Sequence, residues 1–342
     1  MAALFCTGCC TASCTAAAMA DSQPMVPSPV LSAELGLGFD SNPAQSSDAV
    51  SLGFAEVGLG AQWQVRDDLS FDAEAGYRDY AGANDNWTAA VRIDWLAAAE
   101  GARSDPLTLS AEAGVYRDQL VTADARNELA LAGRWQPIVT PRTELVVGAE
   151  LRGQHYLNSS LPWSGRPGSA SRGRTRRAQR TRLSAQRGAP GAGVDRSTGA
   201  TALDALAGFE PRQRYDGLAI LSLDGAWYFS ALLSGLGTLS LGRRASTEPA
   251  ESYDNVAVDL LFSRGGVAGW TLELGLGWYR SDYDRAPQDL HRRDEGRSLA
   301  LAARRPLGRA ELSCSVSWLD NRSTVAIKSF AQAVTWCGLA WQ

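Results

Sequence analysis

Apolar and polar residues alternate with a period of two along most of the chain after Val30, and this alternation limits the possible folds more than any other feature. In one of the clearest stretches the apolar side comprises Trp270, Leu272, Leu274, Leu276 and Trp278, and the other side Thr271, Glu273, Gly275 and Gly277. A helix would distribute these residues around its circumference, whereas a strand places each set on one face. The pattern predicts an all-β fold.

Fourteen segments carry this alternation. They span 30–39, 50–64, 69–80, 87–98, 107–117, 127–137, 143–157, 214–229, 231–243, 253–263, 270–280, 296–305, 309–320 and 326–342. Most exceed the length of an ordinary globular strand, about five to six residues, and the connections between them are alternately long and short. Both properties are typical of outer-membrane barrels. We therefore expect an antiparallel transmembrane β-barrel of about 14 strands over residues 30–342, with a soluble β-sandwich as the alternative.

Two stretches are ambiguous. A break in the alternation near Glu56 predicts a β-bulge in the second strand. The uncharged run 225–242 is long enough for a single membrane helix, although its glycines and hydroxyl residues favour two strands joined by a tight turn around Ser230.

Tryptophans are spaced regularly on the apolar face. Trp87 and Trp95 are eight residues apart, as are Trp270 and Trp278. Eight tilted strand residues span roughly 20 Å, close to the separation of the two aromatic girdles of a membrane barrel. We predict that these four residues form such girdles.

The opposite, inner face is rich in acids. The residues expected to line the lumen are Glu34, Asp72, Glu74, Arg92, Asp94, Glu112, Asp224 and Glu273. On the same face, further acids (Glu56, Glu150, Asp216, Asp259 and Glu311) outnumber further arginines (Arg78, Arg134, Arg152 and Arg304). Such a lumen would favour cations over anions. The alternative is a packed polar interior in which these charges neutralise one another.

The first 20 residues are uncharged and end in Ala18-Met19-Ala20, which resembles a signal-peptidase site. We expect a signal peptide over 1–20 and a periplasmic linker over 21–29; lipidation at Cys14 is a less favoured alternative. Two cysteines, Cys314 and Cys337, lie outside this segment. A final hairpin folded about residue 323 would put Cys314 opposite residue 332, roughly 17 Å from Cys337, so both are expected to be unpaired.

An arginine-rich insertion interrupts the pattern at 158–213. It holds ten arginines against three acids and has no periodicity, which predicts a solvated, disordered loop. The loop could bind lipopolysaccharide phosphates or fold into the lumen, and a reading-frame error is a further explanation. No aromatic interleaving supports nucleic-acid binding.

Catalytic and cofactor-binding patterns are not found in the sequence. His155, Asn158 and Ser159 follow one another at the end of the seventh segment, but the H-x-S-N-G pattern of outer-membrane phospholipases is absent. The chain holds two histidines, too few for a typical zinc site, and has no P-loop or dinucleotide fingerprint. We expect no enzyme activity, no cofactor and no metal.

The hexapeptide Gly38-Phe39-Asp40-Ser41-Asn42-Pro43 resembles a motif of proteobacterial outer-membrane barrels, including the C-terminal barrel of surface lipoprotein assembly modifiers. The later segments resemble the same barrels. The sequence departs from them in having no helical repeats before residue 30 and no terminal phenylalanine. The resemblance implies the outer membrane of a Gram-negative bacterium, contact with its lipid and lipopolysaccharide, and insertion by the barrel-assembly machinery.

The expected role is therefore a pore or an export channel, with a surface lipoprotein or a polysaccharide as the exported partner. The alternatives are a non-conducting structural or adhesive barrel and a soluble exported β-sandwich that binds a ligand. Fold-level resemblance alone does not choose among these activities.

Overall fold

The computed structural model describes residues 29–47, 49–82, 85–97, 107–158, 213–284 and 291–341. The chain divides into two units, Met1–Leu157 with Arg214–Gln342 and Asn158–Gln213. Of the second unit only Asn158 and Gln213 are described, so the expectations for the arginine-rich insertion lie outside the described residues. The same is true of the predicted signal peptide over 1–20 and of the linker over 21–29 apart from Pro29.

The described part of the first unit consists almost entirely of strands, which confirms the predicted all-β fold. The strands are β1 (Val30–Asp40), β2 (Leu52–Arg66), β3 (Leu69–Tyr80), β4 (Asn86–Ala97), β5 (Leu107–Asp118), β6 (Arg126–Val139), β7 (Thr143–Tyr156), β8 (Arg214–Ser230), β9 (Leu233–Ser246), β10 (Tyr253–Val267), β11 (Trp270–Tyr283), β12 (Arg293–Leu307), β13 (Ala310–Ser323) and β14 (Phe330–Trp341). Their ends differ from the sequence-based prediction by up to about four residues, as expected for boundaries.

Each strand pairs antiparallel with its neighbours in sequence, and β1 pairs with β14, so the sheet closes into a barrel. Closure gives every strand a paired neighbour on each side. Connections 67–68, 140–142, 231–232, 268–269 and 308–309 lie at one end, called here the short-turn end. The described residues of connections 41–51, 81–85, 119–125, 247–252, 284–292 and 324–329 lie at the other, called here the loop end.

The register shows which face of the sheet is inside. Directly paired residues point to the same side, and ion pairs between strands that are not neighbours form across the concave face. Arg134 of β6 reaches Asp224 of β8, and Arg152 of β7 reaches Glu112 of β5. The polar face therefore lines the barrel interior, and the apolar face lies outside.

The outer face is apolar and exposed. Leucines with at least half of their surface exposed occur on six different strands: Leu31, Leu35, Leu37, Leu59, Leu129, Leu131, Leu151, Leu221 and Leu241. An apolar outer face of this extent on a barrel is unfavourable in water and requires an apolar environment. In the described part of the chain, no helix combines the length and the apolar character needed to span a membrane.

The bulge predicted near Glu56 is not present. Glu56 lies in regular register with Gly36 and Arg78, and the irregularities occur close to the short-turn end, for example between Gln64 and Arg66. The alternation breaks because Phe54, an apolar residue, points inward. Its ring is 5% exposed and packs against Tyr80. The run 225–242 forms β8 and β9, joined by the turn 231–232, instead of a helix.

The expectation that Cys314 and Cys337 are unpaired is wrong. They lie directly opposite each other on β13 and β14, with Cα atoms 4.1 Å apart, and form a disulfide. The connection occupies 324–329 and contains a 3-10 turn at Ala326–Lys328, so the hairpin folds beyond residue 323 and every pairing shifts. Because Cys337 also lies opposite Leu37, the disulfide is on the outer face.

Candidate pore lumen

Every arginine that the described strands direct into the lumen is neutralised by a carboxylate. The ion pairs are Arg78–Glu56, Arg92–Asp94, Arg126–Glu128, Arg134–Asp224 and Arg304–Glu273, with Arg214 and Arg244 on Asp216, and Arg152 on Glu112, Glu128 and Glu150. The positive charge of the inner wall is therefore compensated locally.

Among the acids of the inner wall that make no ion pair with a described residue, Asp40, Asp118 and Glu144 accept hydrogen bonds from neutral side chains. The others are Glu34, Asp72, Glu74, Asp259 and Glu311. Their register places them on the inner face of β1, β3, β10 and β13. Glu74 and Asp259 are exposed although they point into the barrel. Carboxylates that outnumber the arginines of the wall and have no ion-pair partner give the wall a surplus of negative charge.

All eight residues predicted to line the lumen lie on this inner face, but their surroundings differ. Asp94, Glu112, Asp224 and Glu273 each pair with an arginine, and Arg92 is itself the partner of Asp94. Glu34, Asp72 and Glu74 make no such pair. The role of these residues in ion selectivity stays a prediction.

A hollow of about 310 Å³ lies on the inner wall of strands β4 to β9. Its polar lining includes Arg92, Arg134, Arg152, Glu112, Glu150, Asp224, Ser222 and Thr238. The Thr238 hydroxyl donates to Asp224 over 2.7 Å, and an Arg134 Nη2 donates to the same carboxylate over 3.2 Å. The hollow has room for roughly ten water molecules, so these polar groups can stay hydrated.

Aromatic side chains and arginines contact one another around the inner wall at the loop end. This set, called here the aromatic–arginine belt, comprises Phe54, Tyr80, Tyr116, Tyr156, Tyr253 and Tyr283 with Arg78, Arg126, Arg214, Arg244 and Arg292. The guanidinium carbons lie 4.3 Å (Arg78 over Phe54), 4.3 Å (Arg214 over Tyr156) and 3.9 Å (Arg292 over Tyr283) from the ring centroids. Arg126 and Arg244 also lie over belt tyrosines. Cation–π contacts in such desolvated positions are worth about 2 kcal/mol each.

The belt is tightly packed. Tyr80, Tyr156 and Tyr283 are 3%, 6% and 1% exposed, and the carboxylates of Asp216 and Asp294 are almost completely buried. Burial by itself lowers the pKa of the Arg292 guanidinium, but the bond to Asp294 and the charges of Asp294, Tyr283 and Glu251 together outweigh burial and raise the pKa above the ordinary value. The wall is therefore packed at the loop end and open where Glu74 and Asp259 lie. No feature of the sequence patterning identified the belt in advance, because its members come from distant strands.

The four predicted girdle tryptophans all point outward. Trp87 and Trp278 lie toward the loop end, and Trp95 and Trp270 toward the short-turn end. The indole of Trp278 donates to Glu295 over 3.1 Å, and that of Trp95 donates to Asp68 over the same distance. Indoles with an apolar body and a polar edge are suited to the two interfaces of a membrane.

Among the residues considered for catalysis, the structure describes His155 and Asn158. His155 points outward, and its imidazole stacks on Tyr215 with centroids 4.5 Å apart. Ser159 lies outside the described residues. Among the residues that the structure describes, no three His, Cys, Asp or Glu side chains are arranged to hold a metal ion.

No protein-family model matches this chain, and no curated protein sequence matches it. Solved structures do. Outer-membrane expressed OmpT of Vibrio cholerae aligns over 94% of this chain and 99% of its own, with a TM-score of 0.50 and 8% identity. An anion-selective porin from Comamonas acidovorans covers 92% and 99% (TM-score 0.43, 10% identity), and CdiB from Acinetobacter baumannii covers 91% and 60% (TM-score 0.44, 9% identity). The similarity to OmpT shows the fold: the chain forms a 14-stranded barrel of the outer-membrane type.

Proposed function

We propose that this protein is a passive pore in the outer membrane of a Gram-negative bacterium and that it prefers cations. The observation that carries this proposal is the imbalance of the inner wall. All inward-facing strand arginines are neutralised, whereas Glu34, Asp72, Glu74, Asp259 and Glu311 have no arginine partner among the described residues.

The membrane location is supported by the two faces of the sheet. The outer face exposes leucines on many strands and carries tryptophans at two levels, while the inner face carries the charges. A closed barrel with this distribution is stable when hydrocarbon surrounds it and water fills it.

The size of the barrel allows conduction. Fourteen strands spaced by about 4.8 Å and tilted by about 40° give a backbone diameter of roughly 28 Å, and side chains narrow the interior. The aromatic–arginine belt is the packed level of the wall, so we assign the constriction to the loop end. The charges of the belt are paired with one another. The carboxylates without ion-pair partners, which lie nearer the short-turn end, therefore determine whether the pore prefers cations or anions.

Single-channel recording in planar bilayers tests conduction. In 1 M KCl the refolded barrel should produce discrete current steps, and the step amplitude should be about the same in independent preparations. The matched control is the same protein, unfolded before addition. A correctly folded barrel without steps would reject the pore and favour a non-conducting structural or adhesive barrel.

An export channel for a surface lipoprotein or a polysaccharide is the finer form of the proposal. It rests on the resemblance of Gly38–Pro43 to assembly-modifier barrels. Lipopolysaccharide and the barrel-assembly machinery would then be partners. Asp40 and Asn42 of that motif contact β14 at the loop end and do not line the open part of the lumen. We therefore place the passive pore first. Loss of a surface-exposed lipoprotein or polysaccharide in a deletion strain would favour export.

A further inference from the structure

The seam between β1 and β14 is the place where the barrel closes. Its register runs over eight positions, from Ala33 opposite Trp341 to Asp40 opposite Val334. No other neighbouring pair among the described strands has so few paired positions. Beyond Asp40, β14 continues toward the loop end for four residues, 330–333, that pair with β13 alone. This overhang presents an unpaired strand edge on the side of β1.

The residues that follow β1 satisfy the backbone of this overhang. The Ser41 backbone N–H donates to the Ala333 carbonyl over 2.9 Å, and the Ala333 N–H donates to the Ser41 hydroxyl over 2.7 Å. The Asn42 amide nitrogen donates to the Ala331 carbonyl over 3.1 Å. A turn and two side chains thus replace the ladder bonds that a longer β1 would have made.

Side chains reinforce the same junction. The Gln332 amide nitrogen donates to both carboxylate oxygens of Asp40, over 3.0 and 2.9 Å, and Gln332 also accepts a bond from the Gln45 side chain. Asp40 and Asn42 are 2% and 1% exposed. Each buried polar group that loses its hydrogen-bond partner destabilises the folded state by about 1–3 kcal/mol, so the junction depends on all of these bonds being made.

Hydrogen bonds among residues 40–46 stabilise the turn that follows β1. Asp40 accepts a bond from the Asn42 backbone N–H over 2.8 Å, and the Asn42 side chain both donates to the Ser46 carbonyl and accepts from the Ser46 N–H. Asn42 is therefore the centre of the turn as well as a contact to β14. An alanine at this position would remove both functions.

Glycine is also required at the seam. A Cβ on Gly38 would lie 2.5 Å from the Thr335 carbonyl of β14 and would collide with the Phe54 ring. A Cβ on Gly36 would collide with the indole of Trp336. The two glycines let β14 and the inward aromatic rings approach the first strand closely.

We propose that Gly38, Asp40, Ser41, Asn42 and Gln45 form a closing clasp that locks the last strand of the barrel onto the first. The clasp joins segments about 290 positions apart, so it forms only after β14 has docked on β1. It is a conformational device of the fold and does not depend on whether the lumen conducts. The hexapeptide motif, on this proposal, serves barrel closure.

Hydrogen–deuterium exchange followed by mass spectrometry tests the clasp on the folded full chain in micelles. Asn42→Ala should accelerate exchange about tenfold in peptides from β1 and β14, with less than about a twofold change in β10 and β11. Asn255→Ala is the matched control, because the Asn255 amide donates to the Arg280 carbonyl of the neighbouring strand at the same end of the barrel. Asn255→Ala should accelerate exchange in peptides from β10 and β11 and leave exchange in β1 and β14 nearly unchanged.

If Asn42→Ala does not fold, Gln332→Ala tests the same junction from the side of β14. It should accelerate exchange in β1 and β14 about threefold and leave β10 and β11 unchanged. Seam exchange at the wild-type rate in the folded variant, or equal acceleration in all strands, would overturn the clasp. Seam-specific acceleration in either variant supports it.

Discussion

The disulfide between Cys314 and Cys337 allows a quantitative prediction. It joins β13 to β14 across a sequence separation of 23 residues. In the chain-entropy model, closing a loop of this length lowers the entropy of the unfolded chain by about 11 cal/mol/K, which corresponds to about 3.4 kcal/mol at 25 °C. The double substitution Cys314→Ala with Cys337→Ala should therefore lower the folding equilibrium constant roughly 300-fold.

Urea titration of the barrel in lipid vesicles, fitted by linear extrapolation, measures this difference. When the cysteines of the unfolded chain are kept reduced, the wild type and the double variant should have the same free energy of unfolding. When the disulfide is kept intact, the free energy of unfolding of the wild type should be about 3.4 kcal/mol higher. Because the disulfide lies on the apolar outer face, a water-soluble reductant should act on the unfolded chain and not on the inserted barrel. A difference below about 1 kcal/mol, or two free thiols in the oxidised folded protein, would refute the reasoning.

Two further substitutions test the packing of the inner wall. Asp216→Ala leaves the buried Arg244 guanidinium without a carboxylate and leaves Arg214 with only Glu251, 3.8 Å away. It should lower the free energy of unfolding by about 3–5 kcal/mol in the same titration, whereas Asp254→Ala, whose side chain is 70% exposed, should lower it by less than about 1 kcal/mol. Equal costs would contradict the assignment of Asp216 to a buried network. Gly296→Ala should destabilise the barrel by about 1–3 kcal/mol because its methyl group would collide with the Tyr279 ring; Gly217→Ala, which meets no atom within 4 Å, is the control, and a neutral Gly296→Ala would show that the ring does not pack there.

The strands were predictable because their signal is local. Alternation with a period of two requires only neighbouring residues, and it identified all fourteen strands and the face that carries the charges. Register is different, because it depends on where each connection begins. The 3-10 turn at Ala326–Lys328 lengthens the last hairpin, and this shift converts the predicted distance of roughly 17 Å between Cys314 and Cys337 into a bond.

The candidate site was predictable only in part, for the same reason. The parity of Asp72 or Asp224 follows from its own strand, but their pairing state depends on other strands. Asp224 meets Arg134 across an intervening strand, whereas Asp72 makes no ion pair with a described residue. Phe54 broke the alternation because it packs against Tyr80 inside the belt, a contact that is invisible in a single strand. The closure contacts of Asn42 likewise require β14 in place.

The reversal potential across a planar bilayer with a KCl gradient tests the central claim most directly. The wild-type pore should show a cation-to-anion permeability ratio above about 3. The ratio should fall toward unity in a variant that carries Glu34→Gln, Asp72→Asn, Glu74→Gln, Asp259→Asn and Glu311→Gln. Neutralising the outward-facing Asp254 and Asp320 should leave it unchanged. The claim that these carboxylates make the pore cation-selective would be contradicted if the wild type preferred anions or if the five-site variant kept the wild-type permeability ratio.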